Sequence, residues 1–177
     1  MPALVVTLVG PDRPGLVGAV SDVVRRHEGN WLESRMSHLA GQFAGIVLVE
    51  TTAENSAAMV ADLEQLESHG LQVVVAVDAD GAGQEPGQLY RLSVVGNDRA
   101  GIVREVTQVL ASHEINVEEL TTECTDAPQS GGRIFRAIAG IRLPDLLSPE
   151  LVQDELERIA TDLMIDIAVD EGESAGG

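Results

Sequence analysis

A chain of 177 residues, 44% of them hydrophobic, has enough apolar mass for one medium domain or two small ones, which excludes global disorder. With only 2% aromatic residues, its core must rest on Val, Leu, Ile and Ala. A formal net charge of −18, with basic residues in no dense cluster, excludes the counterion-releasing footprint of a protein that grips a phosphate backbone directly.

The first element in the chain is the apolar run LVVTLV, of the kind a buried strand requires. The loop GPDRPG follows, and then Leu16, Val17, Val20, Val23 and Val24 recur at helical spacing as one apolar stripe. WLESRMSHLA and FAGIVLVETT read as two strands of a hairpin turning around Gly41 and Gln42. A second helix is expected from about Asn55 to Ser68, with Met59, Leu63 and Leu66 inward and Gly70 ending it. LQVVVAV supplies a last strand.

The plan then repeats. Placing Gly96 on Gly10, an offset of 86 residues, matches Val9, Asp12, Arg13, Gly15, Val17, Val20 and Val23 with identical residues. His27, Glu28 and Asn30 likewise meet His113, Glu114 and Asn116. The second copy runs through YRLSVV, the loop GNDRAG, and a stripe of Ile102, Val103, Val106, Val109 and Leu110. NVEELTTE and RIFRAIAGIRL follow as strands around a polar tip, DAPQSGG. Its second helix begins at Ser148 and Pro149, a cap and first-turn pair. Leu151, Val152, Leu156, Ile159 and Leu163 form that helix's stripe, and MIDIAV is the final strand.

Two copies at this period point to paired domains rather than a solenoid. The expected boundaries are a first domain at 1–79, a linker at 80–87, a second domain at 88–171 and a tail at 172–177. Strand, helix, strand, strand, helix, strand is an α+β order, with helices on one face of a mainly antiparallel sheet. GAGQEPG in the linker is not a dinucleotide loop, because its spacing is wrong and a strand follows it. Cys124 stands alone, so no intramolecular disulfide is expected and a reducing compartment suits the chain. MPALVVTLVG has neither a basic leader nor a cleavage signature, and no apolar run reaches membrane-spanning length. A cytoplasmic protein without membrane contact is the expectation. Scattered histidines give no metal spacing, and no cofactor motif is present.

The repeated loop has a structural and a functional reading. In the first, Pro14 opens the helix, Asp12 and Asp98 cap the helix starts, and Gly15 and Gly101 clear room for a close backbone. In the second, free N–H groups at a helix start receive a carboxylate, while Asp or Asn97 accepts from an ammonium. A free amino acid presents both charges close together. Arg13 and Arg99 are read as exposed ion-pair partners, with attraction of a carboxylate as the alternative, and His27 and His113 as helix ends.

The strand–DRPG–helix–Asn arrangement resembles the ACT domain, a ferredoxin-like βαββαβ module that binds amino acids. Two such modules in a short chain resemble the glycine cleavage system transcriptional repressor family. The resemblance implies modules paired side by side, with a ligand between the first loop of one module and the second strand of a neighbour. Carried over by motif, it implies ligand contacts at Gly10, Asp12, Arg13, Pro14, Gly15, Leu16 and Asn30. In the second copy it implies Gly96, Asn97, Asp98, Arg99, Gly101, Ile102 and Asn116. Pro11 stands where the second copy has Asn97, and Ala100 where the first has Pro14, so the two sites are not expected to be equivalent. The implied function is non-enzymatic binding of a small amino acid such as glycine or serine. Its output would pass through a DNA-bound regulator protein, with homo-oligomerisation open. The alternative is an interaction scaffold of paired modules that binds no small molecule. A hydrolase using Cys124 lacks an identified base.

Overall fold

The computed structural model describes residues 2–78, 86–128 and 131–172. The chain divides into two compact units, 1–83 and 84–177. Most of the expected linker, the end of the tail, and Gln129 and Ser130 of the hairpin tip lie outside the described residues.

The first unit runs β1 (Ala3–Pro11), α1 (Leu16–Arg26), β2 (Asn30–Leu39), β3 (Gln42–Glu50), α2 (Ala53–Glu64), a 3₁₀ turn (Gln65–His69) and β4 (Gln72–Asp78). Its sheet has the order β2-β3-β1-β4, and every pair is antiparallel. Leu4, Val6 and Leu8 on β1 and Phe43, Val47 and Val49 on β3 are buried at alternate positions, as the two-residue period of a half-covered strand requires. They close a core with Leu16, Val20, Val23, Val24, Met59, Leu63 and Leu66. Ala40 and Gly41 both have positive φ, the backbone of a tight two-residue hairpin turn.

The second unit repeats this with β5 (Gln88–Asn97), α3 (Ile102–Ser112), β6 (Asn116–Asp126), β7 (Arg133–Leu143), α4 (Pro149–Leu163) and β8 (Ile165–Glu171). Its order, β6-β7-β5-β8, is again antiparallel throughout. β2 and β6, each at one edge of its sheet, carry the same irregularity, between Trp31 and Glu33 and between Val117 and Glu119. The internal duplication therefore reaches down to a bulge.

Four details differ from the sequence reading. The second helix of the first unit tightens into 3₁₀ geometry at Gln65 before Gly70 (φ 80°) ends it. Val17, Val103 and Leu151 are exposed, because each sits at the margin of its stripe, outside the face that the core covers. Met164 is not in the final strand but is the left-handed residue that closes α4. The helix start at Ser148 and Pro149 is as expected, but the serine hydroxyl donates to Glu150 Oε2 at 2.5 Å instead of capping the backbone.

Candidate functional site

Each loop between the first strand and first helix is held by the hairpin beside it. The Asp12 amide donates to the Gly41 carbonyl at 2.9 Å, and the Asp98 amide donates to the Arg133 carbonyl at 2.8 Å. The chain then turns left-handed at Gly15 (φ 92°) and Gly101 (φ 96°), which are themselves the N-caps of α1 and α3. This overturns the capping role expected for the aspartates, since each lies too far upstream to meet the first-turn N–H groups. Pro14 falls before the cap rather than in the first helical turn.

The glycines also divide their work differently from the expectation. A Cβ at Gly15 or Gly101 would meet nothing within 4 Å, so these two serve backbone conformation, not clearance. Clearance belongs to Gly10 and Gly96. A Cβ at Gly10 would lie 2.5 Å from the Gly70 carbonyl oxygen, and one at Gly96 would lie 2.9 Å from Ile165 Cα.

Neither α1 nor α3 receives a side-chain cap, whereas α2 is capped by Thr52, whose hydroxyl accepts from the Asn55 amide at 3.2 Å. First-turn N–H groups without a side-chain acceptor, at the positive end of a helix, form a local anion-attracting surface. In the second unit this surface opens into a recess lined by Asp98, Arg99, Gly101, Ile102, Val103, Arg104, Thr107, Cys124 and Phe135. The recess therefore sets one carboxylate beside main-chain donors over an apolar floor of Ile102, Val103 and Phe135. No histidine lines it, and Cys124 is exposed within it.

The first unit differs at one telling position. His38 pairs with Phe43 on the hairpin as Cys124 pairs with Phe135. Its Nδ1 lies 3.5 Å from Asp12 Oδ2, so an imidazole leans on the carboxylate that the second unit leaves facing its recess. Asp98 instead meets Arg133 at 4.0 Å, the outer limit of an ion pair. Gly96 and Asn97 end β5, opposite Phe135 and Ile134, so Asn97 sits beside Asp98 at the mouth of the loop. Leu16 and Ile102 are buried under the two helix starts.

Asn30 and Asn116 are not near these loops within a unit. Asn30 pairs with Glu50, which pairs with Ala3 at the far end of β1 from Asp12. Asn116 pairs with Arg142, which pairs with Leu89. Eight strand steps separate the two ends, about 27 Å. No single unit presents both its asparagine and its loop to one ligand.

The arginines are exposed as expected, but each meets a main-chain carbonyl rather than an acidic side chain. Arg13 Nη2 donates to the His69 carbonyl, and Arg99 Nη1 donates to the Asp162 carbonyl at 3.2 Å. Sequence reasoning missed these contacts, because the acceptors are main-chain groups more than fifty residues away. His27 and His113 do close the first helices, and each also reaches an acid on the second. His27 Nε2 lies 2.8 Å from Asp62 Oδ2, and His113 Nε2 lies 2.6 Å from Glu155 Oε2. The bond to His27, joined by one from Arg26, holds the Asp62 carboxyl below its ordinary range against a smaller desolvation effect. Glu150 is also lowered, first by the Ser148 hydroxyl and then by its own amide. Among the described residues, no three His, Cys, Asp or Glu side chains are grouped to hold a metal ion, and no helix is long and apolar enough to cross a membrane.

A protein from Galdieria sulphuraria with no assigned role is similar over almost the whole chain, with 33% identity, 97% of this chain and 98% of that one covered, and a TM-score of 0.87. A protein described as a candidate glycine cleavage system transcriptional repressor is 20% identical, with 98% of both chains covered and a TM-score of 0.74, a likeness of fold. A formyltetrahydrofolate deformylase from Pseudomonas putida KT2440 overlaps only in part, with 20% identity, 49% of this chain, 30% of that one and a TM-score of 0.42. None of the curated proteins matches. The family model of the ACT domain matches residues 3–76, and an ACT-domain model matches again at 90–160. The chain belongs to the ACT-domain family and carries that domain twice.

Proposed function

We propose that this protein is a non-enzymatic regulator that binds a small amino acid, with glycine and serine the first candidates. Its strongest support is the recess at the second loop. There, uncapped helix-start N–H groups suit a carboxylate, the Asp98 carboxylate suits an ammonium, and both line one recess. A ligand held there acts by preferring one of two arrangements of the protein, so its output needs no chemistry. The net charge of −18 disfavours contact with nucleic acid, so a role in transcription, here in control of glycine cleavage, would run through a DNA-bound protein partner.

Calorimetry with the common amino acids tests this. Saturable heat with glycine or serine is expected, weakened roughly tenfold or more by Asp98→Asn, the loss of one charge-assisted hydrogen bond. Alkylation of Cys124 should slow when the recess is filled. Silence across the whole set of amino acids sinks the reading.

A second reading, an interaction or oligomerisation module without a small ligand, is favoured by the helix-free face of the first sheet. Ile46 and Val74 are 53% and 68% exposed there. They lie in one row with Thr7 between them. The corresponding row of the second sheet carries Ile138, Ser93 and Ala168, flanked by Arg91 and Asp170.

A further inference from the structure

Both loop arginines end on the same structural feature, the carboxyl end of the second helical segment of their own unit. His69 is the last residue of the 3₁₀ turn after α2, and Asp162 lies in the last turn of α4. The chain's own closing bonds at these ends go to other carbonyls. Gly70 and Leu71 donate to Glu67 and Leu66, and Met164 donates to Thr161. The His69 and Asp162 carbonyls stand at the negative pole of a helix end, where a cation is favoured.

One residue beyond His69 and two beyond Asp162 the chain turns left-handed, at Gly70 (φ 80°) and Met164 (φ 53°), and then enters the last strand. The same joint is also approached by Gly10 or Gly96, three residues before the arginine. A glycine contact and a guanidinium therefore meet the same helix-to-strand joint in both copies, although the acceptor carbonyl lies one residue before the left-handed turn in the first unit and two before it in the second. The side chains around the two contacts differ, so the repeat is not a by-product of identical neighbours.

We infer that Arg13 and Arg99 are positioning residues. Each fastens the helix-start loop to the end of the second helix and so fixes where the loop's main-chain donors point, without contacting the ligand itself. This rests on the loop being the ligand site. It also gives that site an outlet, because any shift of the loop on binding is delivered to the start of β4 or β8, the strands at one edge of each sheet.

The test uses the full chain without ligand. In Arg99→Ala, amide hydrogen exchange in residues 100–104 and 162–166 should accelerate together, by roughly two- to tenfold, the loss of one hydrogen bond. The Gly101 and Ile102 amide resonances should shift in Arg99→Ala and return towards their original positions in Arg99→Lys, which restores a donor. Arg13→Ala should loosen 15–18 and 69–72 and leave the second unit alone. Arg99→Gln, neutral but still a donor, serves if the alanine variant folds poorly. Unchanged exchange in either segment, at an unchanged Tm, overturns the proposal. So does loss of glycine or serine binding by more than about a hundredfold with exchange unaltered, which would make the arginine a direct contact. If the parent protein gives no heat with any amino acid, the sensing reading falls, while the exchange data still decide whether the clasp exists.

Discussion

Gly10 and Gly15 belong to one loop but resist substitution for different reasons. Gly15→Ala puts a side chain into the left-handed region in open space, which should cost about 1–2 kcal/mol in chemical denaturation, and Gly101→Ala should match it. Gly10→Ala drives a methyl against the Gly70 main chain, so backbone must move, and a larger loss is expected. If Gly10→Ala proves the milder change, the joint between β1 and β4 is looser than described. The sequence marked Gly15 and Gly101 as special but gave them the task of clearance, which belongs to Gly10 and Gly96. Identity at Gly10, Asp12, Arg13 and Gly15 shows that a loop is repeated, not which backbone angles it adopts. The aspartates looked like caps for the same reason: Asp is a good cap by type, and only the turn at Gly15 shows that it stands too far upstream.

Between elements, each unit fastens its first helix to its second through a histidine and an acid. In the first unit the folded state holds Asp62 below its unfolded pKa, so its ionised form adds stability above about pH 4 that is lost as the pH falls through the depressed value. Asp62→Asn should remove that contribution. Denaturation at pH 7 should separate variant from parent, and the gap should narrow by pH 3; a constant gap would mean that the carboxylate's charge is not what counts. Packing makes a second test. Leu63 on α2 is fully buried, and Leu63→Ala should cost about 2–5 kcal/mol. Leu151 on α4 is 45% exposed, so Leu151→Ala should stay within about 0.5 kcal/mol of the parent. Element order and the core positions Met59, Leu63 and Leu66 were legible, because they follow from the hydrophobic pattern alone. Leu151 was not, since a three- and four-residue spacing defines a stripe but not its buried width. The 3₁₀ turn at Gln65 escaped too, as nothing in QLESH distinguishes it from a continuing helix.

For the whole molecule, a net charge of −18 means that the folded chain repels itself. Screening should relieve this: raising sodium chloride from about 0.05 M to about 0.5 M shortens the Debye length from over 10 Å to under 5 Å. Tm should rise by roughly 2–5 °C, the equivalent of about 1 kcal/mol for a chain of this size. A falling Tm would mean that specific ion pairs, such as Arg26–Asp62 and Arg142–Glu118, outweigh general repulsion.

Trp31, the sole tryptophan, is part of β2 in the first unit, and Cys124, the sole cysteine, is exposed on β6 in the second. An acceptor dye coupled to that thiol would make the unaltered sequence a donor–acceptor pair with one chromophore per ACT domain. Energy transfer between them would follow the separation of the two domains in solution, with and without a metabolite, before any partner had been found.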